Sequence, residues 1–259
     1  MKFSIITCTY NSEAYLERNI KSVLAQDCHD YEHVFIDGFS TDRTLEIIAD
    51  YQKQYPDRVK LFQGPPKGIS NAMNEGIKHS QGDYLIHLHS DDSFFDAAVL
   101  TDVKNFLAGQ DYDWIYGRIN VIELTGKSVG EWPRKKIFCY NSKSWFGRYL
   151  LKFFNYIPHQ GVFIKKSVFD RFGYFDETLP VAMDPDLWLR IKDGTKWTYF
   201  GRTISNFCVR AEARSSGLKH RQQNIAYYRI MRQRYLNKFE LIISDLFNWL
   251  ISKYDRSYR

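Results

Sequence analysis

Two adjacent carboxylates, Asp91 and Asp92, close the stretch from Asp83 to Asp92. Leu85, Ile86 and Leu88 suit a buried strand, bounded by Gly82-Asp83 before it and Ser90-Asp91-Asp92-Ser93 after it. A carboxylate pair at the mouth of an α/β sheet suits a hard divalent cation, Mg²⁺ or Mn²⁺, which takes oxygen ligands and grips a diphosphate. The same residues also suit a helix cap, because Ser and Asp are good N-cap residues. Both readings stay open on this stretch alone. A second acidic set, Asp184-Pro185-Asp186, opens a helical stretch with Pro in its first turn.

The elements that must position these groups follow from hydrophobic period. Phe3 to Thr7 reads as a buried strand, with Ser12 as a cap for a helix over about 13–26 carrying Leu16, Ile20, Val23 and Leu24 at helical spacing. His33 to Asp37 is a second strand, followed by a helix from Ser40 or Thr41 through Tyr51. Val59 to Phe62 is a third strand, Gly64-Pro65-Pro66-Lys67-Gly68 a loop, and Ser70 to His79 a helix leading into the acidic strand. This alternation predicts an α/β fold with a mostly parallel, doubly wound sheet, helices on both faces, and ligands at the carboxyl ends of its strands. Thr9-Tyr10-Asn11, Asp37-Gly38, Lys67-Gly68 and Ser90-Asp91-Asp92 then surround one crevice. No GxGxxG follows the first strand and no GxxxxGK[ST] occurs, so a cation at the acidic pair is the expected means of holding phosphate.

The second half is less regular. Asp113 to Gly117, Ile119 to Ile122 and Trp197 to Phe200 read as strands, and His159-Gln160-Gly161 as a loop entering another. The segment from Trp132 to Phe154, aromatic and basic, reads as substrate-facing. From about Gln222 the pattern is helical, with Leu241, Ile242, Leu246, Phe247, Leu250 and Ile251 on an amphipathic stretch.

Composition bounds the rest. With 259 residues, 44% hydrophobic, the chain is long enough for one large domain with a substantial core. Aromatics make up 17%, which serves either stacking surfaces or a core of large side chains. The net charge of +6 gathers late, in Arg214, Lys219, His220, Arg221, Arg229, Arg232, Arg234 and Lys238, and favours either a polyanionic neighbour or a solvated helix face. No nucleic-acid-binding motif accompanies this basic tail. Cys8, Cys28, Cys139 and Cys208 are scattered, which points to a reducing compartment. The first apolar run is too short for a signal peptide and no run spans a bilayer, so a cytoplasmic location is expected.

The order of the pieces resembles the inverting family 2 glycosyltransferases of the GT-A fold, of the bacterial polysaccharide or lipopolysaccharide type. The matching stretches are Ser4 to Asn11, Asp37 to Thr44, Gly68 to Ile77, Gly82-Asp83-Tyr84, Ser90-Asp91-Asp92 and Asp184 to Arg190. The resemblance implies a Rossmann-like domain over residues 1–210, with a nucleotide-binding half (1–110) and an acceptor and catalytic half (111–210). Residues 211–259 would be a basic amphipathic extension. It implies transfer from a nucleotide-diphosphate sugar, UDP-linked in the first instance, to a hydroxyl of a saccharide or lipid-linked acceptor.

The resemblance also implies site roles. Thr9, Tyr10, Asn11, Asp37, Lys67, Gly68 and Asp91 would bind the nucleotide sugar, and Asp92 the Mg²⁺ or Mn²⁺ ion. Asp184 would be the general base, with His159, Gln160 and Asp186 near the acceptor. Asp37 before Gly38 also suits a turn, and Asp186 also suits a helix dipole. The family often has Arg at Met73 and Asn at His89, and Lys67 would replace the lost cation. His87 and His89 are expected as core or supporting histidines. A non-catalytic nucleotide-sugar binder and a nucleotidyltransferase are the alternatives. For the last helix, packing on the domain, a homodimer contact and a peripheral membrane surface all stay open.

Overall fold

The computed structural model describes residues 1–133, 138–210 and 221–246. Four strands open the chain, β1 (Phe3–Thr9), β2 (Tyr31–Asp37), β3 (Val59–Gln63) and β4 (Tyr84–His87), joined by α1 (Glu13–Leu24), α2 (Thr44–Gln54) and α3 (Ile69–His79). They lie in the order β3-β2-β1-β4, all parallel, as the alternating pattern predicts. β1 is buried along its whole length, so its polar side chains need partners inside the protein. Ser4 Oγ donates to Glu32 at 2.6 Å, and Thr7 Oγ1 to the carbonyl of Leu88 at 2.7 Å. Gly76 lets α3 lie on β1, since a Cβ there would sit 2.3 Å from Ile6 Cγ2.

Beyond β4 the sheet becomes mixed, which narrows the expectation of a mostly parallel sheet to its first half. β5 is only Ser93–Phe94; α4 (Val99–Leu107), β6 (Trp114–Ile122) and β7 (Ser128–Trp132) follow. Next come α5 (Trp145–Leu150), a 3-10 turn at His159–Gly161, β8 (Val162–Lys165), α6 (Lys166–Phe172), α7 (Met183–Ile191) and β9 (Trp197–Cys208). The sheet continues β4-β8-β6-β9-β5, with β8 antiparallel to both neighbours and β7 hydrogen-bonded beside β6. The two strands expected around Gly117 are one, with register shifts against β9 between Tyr116 and Ile119.

Apolar layers cover both faces. On one, Ile6, Met73 and Ile77 join Trp114, Trp188 and Trp197. The Trp114 ring stacks on Trp197 at 4.9 Å and on Trp188 at 5.3 Å, which seats α7 on β6 and β9. On the other, α4 packs Val99, Leu100 and Val103 against Phe3, Ile5 and Ile86. Most of the aromatic surplus is therefore core.

α8 (Arg221–Gln233) and a final helix, α9, described over residues 238–246, form the carboxyl-terminal part. Met231 and Leu236 are buried against the domain. Arg234 pairs with Asp176 and Asp186, Arg229 with Asp245, and Lys152 with Glu240. Part of the late basic charge is thus neutralised within the chain, which weakens it as a mark of a polyanionic neighbour. α8 packs on the domain. α9 keeps Phe239, Ile242, Ile243 and Leu246 exposed on one stripe. Arg214, Lys219, His220, Phe247, Leu250 and Ile251 lie outside the described residues. No helix among the described residues is long and apolar enough to cross a membrane.

Candidate active site

A cavity of about 530 Å³ opens at the carboxyl ends of β1, β2 and β3, closed on one side by α3. Thr9, Tyr10, Asp37, Lys67 and Gly68 all line it, so five of the expected nucleotide-sugar residues meet in one place. Asp37 is fully buried. Its Oδ1 accepts from the Ser40 N–H at 2.8 Å, and its Oδ2 from Thr9 Oγ1 at 2.8 Å and Ser40 Oγ at 2.6 Å. The turn-forming reading of Asp37 therefore holds, and an acceptor position remains at Oδ1 for a ligand, since a carboxylate takes about four hydrogen bonds. Gly68 begins α3 at φ 105°, a left-handed conformation that suits glycine.

The cavity also has a flat wall that the sequence reading missed. The Phe62 and His79 rings stack at 3.7 Å and 12°. Met73, where the resemblance leads one to expect Arg, lies on the buried face of α3 and is not among the residues that line the cavity. Lys67 is the cation that lines it.

Asn11, expected among the nucleotide-sugar residues, lies apart from these five. It does not line the cavity. Its backbone is left-handed at φ 47°, its Oδ1 accepts from the Thr41 N–H at 2.8 Å, and its own N–H donates to Ser40 Oγ at 2.9 Å. It braces one loop against the next, a use that suits Asn. Ser12 does not cap α1 through its side chain either; its hydroxyl stays with Tyr10.

The acidic residues sit on a tight turn after β4, closed by the Asp92 N–H donating to the His89 carbonyl at 2.9 Å. α1 holds this turn. Asn19 Nδ2 donates to the carbonyls of His89 and Asp92, and Arg18 Nη2 to that of Asp91 at 2.6 Å. The helix-cap reading fails here, because β5 follows the turn and α4 starts only after Ala98. Asp91 pairs with Arg210 at 2.6 Å, and that guanidinium also lies 4.7 Å from the Tyr15 ring centre. Arg18, Asn19 and Arg210 were not anticipated as parts of the site.

Asp92 is 1% exposed. Its Oδ1 accepts from the Cys208 N–H at 3.1 Å, while its Oδ2 is buried without a partner. Burial, then the neighbouring Asp91 charge, pushes its carboxyl well above the ordinary range. A buried carboxylate oxygen with no donor beside a second carboxylate fits a divalent cation. No group of three or more His, Cys, Asp or Glu side chains suited to a metal occurs among the described residues. Two carboxylates with the remaining positions left to phosphate and water is an arrangement Mg²⁺ accepts.

Asp184 stands in the first turn of α7, whose preceding residue, Ala182, is held at φ 68°. Its Oδ2 accepts from Asn155 Nδ2 at 3.1 Å and lies 3.5 Å from His159 Nδ1. His159 Nε2 is in turn 3.0 Å from His89 Nε2. Asp184 and the acidic turn thus meet through two imidazoles, although none of Asp91, Asp92, His159 and Asp184 lines the cavity. Burial, then the nearby His159 and His87, pulls His89 well below the usual imidazole range. His87 is a core residue, edge-on to Phe175 at 5.5 Å.

Asp186, expected near the acceptor, is engaged within the fold. Its carboxylate is 2% exposed and is taken by Arg190 at 2.9 Å, Arg234 at 3.3 Å and the Tyr235 hydroxyl at 2.8 Å. With its oxygens engaged it braces α7 against α8 and offers nothing to an acceptor. Gln160 is buried, and its carbonyl accepts from Ser205 Oγ at 2.8 Å.

Known proteins resemble this chain in sequence and share its fold. Residues 4–172 match the family described as Glycosyl transferase family 2. A PGL/p-HBAD biosynthesis glycosyltransferase of Mycobacterium tuberculosis is 30% identical over 189 residues, covering 73% of this chain and 68% of the relative. Among solved structures, Staphylococcus aureus TarS (residues 1–349) with UDP-GlcNAc superposes with a TM-score of 0.69 at 21% identity, over 93% of this chain and 69% of that one. The mannosyltransferase PcManGT of Pyrobaculum calidifontis, with GDP-Man and Mn²⁺, does so with a TM-score of 0.63 at 16% identity, over 91% and 65%. The nucleotidyltransferase and non-catalytic alternatives fall away: the chain belongs to glycosyl transferase family 2 and is a glycosyltransferase of the GT-A fold.

Proposed function

We propose that the protein transfers a sugar from a UDP-sugar to a hydroxyl of a saccharide or lipid-linked acceptor, with inversion, in the building of a bacterial surface glycan. One observation carries this reading: the His89–His159–Asp184 contacts put a carboxylate suited to general-base work beside the acidic turn. The cavity lined by Thr9, Tyr10, Asp37, Lys67 and Gly68 takes the nucleotide. Asp37 Oδ1 accepts from the base or ribose, the Phe62–His79 wall limits the base, and Lys67 faces the diphosphate. Asp91 contacts the donor sugar or ribose hydroxyls.

Asp92, with Asp91 beside it, would hold Mg²⁺ or Mn²⁺, which when bound supplies a Lewis acid to the departing diphosphate. Asp184 removes the proton of the attacking hydroxyl at its Oδ1, on the face opposite the leaving group. Such positioned proton transfer is worth about 10²–10⁴ in rate. His159 and Gln160 border the acceptor side. The TarS and PcManGT complexes, with UDP-GlcNAc and with GDP-Man and Mn²⁺, support nucleotide-sugar and cation use here. The exposed apolar stripe of α9 supports a peripheral position on the cytoplasmic face of a membrane, where a lipid-linked acceptor would be met.

The test is a thermal-shift screen of UDP-, GDP- and dTDP-sugars with and without Mn²⁺, followed by anomer analysis of the product by NMR. A true donor raises the melting temperature by mass action. No shift with any UDP-sugar, or a product that retains the donor's anomeric configuration, overturns the reading.

A further inference from the structure

We infer that His89 and His159 are positioning residues that aim the Asp184 carboxylate, an inference that rests on Asp184 being the base. His159 Nδ1 faces Asp184 Oδ2 at 3.5 Å, and its Nε2 faces His89 Nε2 at 3.0 Å. A carboxylate can only accept, so the proton of a neutral His159 belongs on Nδ1. Its Nε2 is then a lone pair, and His89 must present an N–H at Nε2 to meet it. The donors therefore point one way, through a hydrogen bond from His89 to His159 and a longer contact from His159 to Asp184.

Asn155 Nδ2 donates to the same oxygen, Oδ2, at 3.1 Å. Both donors on one oxygen fix the carboxylate's rotation and leave Oδ1 for the incoming hydroxyl. In this tautomer the one lone pair of His159, at Nε2, is taken by the His89 N–H, so His159 orients Asp184 and does not itself take that proton. The His–Asp distance is long for a hydrogen bond, and such contacts tighten once substrate is bound. The far end of the chain is anchored on the donor side, since the His89 carbonyl accepts from the Asp92 N–H. The base is thereby aligned to the turn that carries Asp91 and Asp92, and not to α7 alone.

The test compares variants of the full chain in UDP release from whichever of UDP-glucose, UDP-galactose or UDP-GlcNAc the wild type cleaves, with water as acceptor. His159→Ala is expected to lower kcat about 10- to 100-fold, the scale of a misplaced reacting group, with donor KM unchanged. His159→Asn places an amide nitrogen where Nδ1 was and is expected to recover most of kcat. His89→Gln, which keeps a donor at the Nε2 position, is expected to exceed His89→Ala.

Wild-type kcat in His159→Ala, or equal losses in His159→Asn and His159→Ala, overturns the inference. If His159→Ala does not fold, His89→Gln against His89→Ala decides: equal kcat in the two overturns it. Asp184→Asn keeps the two ideas apart. If Asp184→Asn is inactive while His159→Ala is unimpaired, the base reading stands and the positioning role falls. If Asp184→Asn turns over normally, the base reading itself has failed.

Discussion

Asp92 Oδ1 and the backbone N–H of Cys208 lie 3.1 Å apart across 116 residues of sequence. This bond turns one carboxylate oxygen toward the last strand and leaves the other buried without a donor. Burial and Asp91 hold the carboxyl well above its ordinary range, so a cation must displace a proton to bind. The stabilisation of the protein by Mn²⁺ is therefore expected to grow as pH rises above the ordinary carboxylate range. Asp92→Asn is expected to remove that response and the cation-dependent activity. Because the raised carboxyl penalises the folded state as pH rises, the melting temperature of Asp92→Asn relative to the wild type should rise with pH in the absence of Mn²⁺. Calorimetric scans of both proteins with and without Mn²⁺ measure this; a Mn²⁺ shift that survives in Asp92→Asn contradicts it.

Asp184→Asn preserves the shape of the side chain and its reach to Asn155 and His159. Turnover is expected to fall about 10²–10⁴-fold. Donor affinity, read by isothermal titration with a UDP-sugar, should stay within about twofold of wild type because Asp184 does not line the nucleotide cavity. A matching loss of donor affinity would assign Asp184 to donor binding.

Glu32, buried on β2 opposite Ser4 of β1, takes Lys60 at 2.7 Å, Ser4 Oγ and the Gln81 N–H. Burial would raise its carboxyl, but Lys60, Ser4 and Gln81 outweigh burial and hold it below the ordinary value of 4.5. The folded protein therefore binds this proton less tightly than the unfolded chain does. Its contribution to stability is complete above pH 4.5 and is lost as pH falls through the folded value. Glu32→Gln is expected to cost about 1.5–3 kcal/mol at neutral pH. It should also flatten the pH dependence of stability below pH 4.5. Urea melts at several pH values check both, and an unchanged acid limb contradicts the assignment.

The stripe of Phe239, Ile242, Ile243 and Leu246 is 39–72% exposed. Apolar side chains gathered on one helix face favour a membrane surface. The full chain is expected to float with anionic vesicles at low salt, and Ile242→Glu with Leu246→Glu to stay in the lower fraction. A concentration-dependent dimer without flotation, abolished by the same pair, would assign the face to a second copy.

The first half of the fold was legible because each strand is a short apolar run followed by a helical period. β5 is two residues long and β9 mixes exposed and buried positions, so neither shows a period over its full extent. A cavity does open at the carboxyl ends of the parallel strands β1, β2 and β3, but the acidic turn expected around the same crevice does not line it. The partners of Asn11 in the Thr41 loop and of Asp186 on Arg190 and Arg234 were not legible, because a motif names a residue without saying which way its side chain turns. Asn19 gave a usable signal: it falls on the stripe of Leu16, Ile20 and Val23, where a buried amide needs partners. Arg210 and Asn155 gave none, as their contacts with Asp91 and Asp184 are long-range. Phe62 and His79 sit on different elements, and only the approach of β3 to α3 makes them a wall.

β5 leaves the parallel strands of the first half of the chain and hydrogen-bonds to β9 at the far border of the sheet, with Ser93 opposite Asn206 and Phe94 opposite Ser205. This stitch makes the protein a poor subject for grafting. A hybrid joined near residue 110 to another transferase's second half would inherit a foreign last strand, and the geometry around Asp92 would change with it. Altered donor choice is better sought by local replacement within the loop from Gly64 to Gly68 than by exchanging halves.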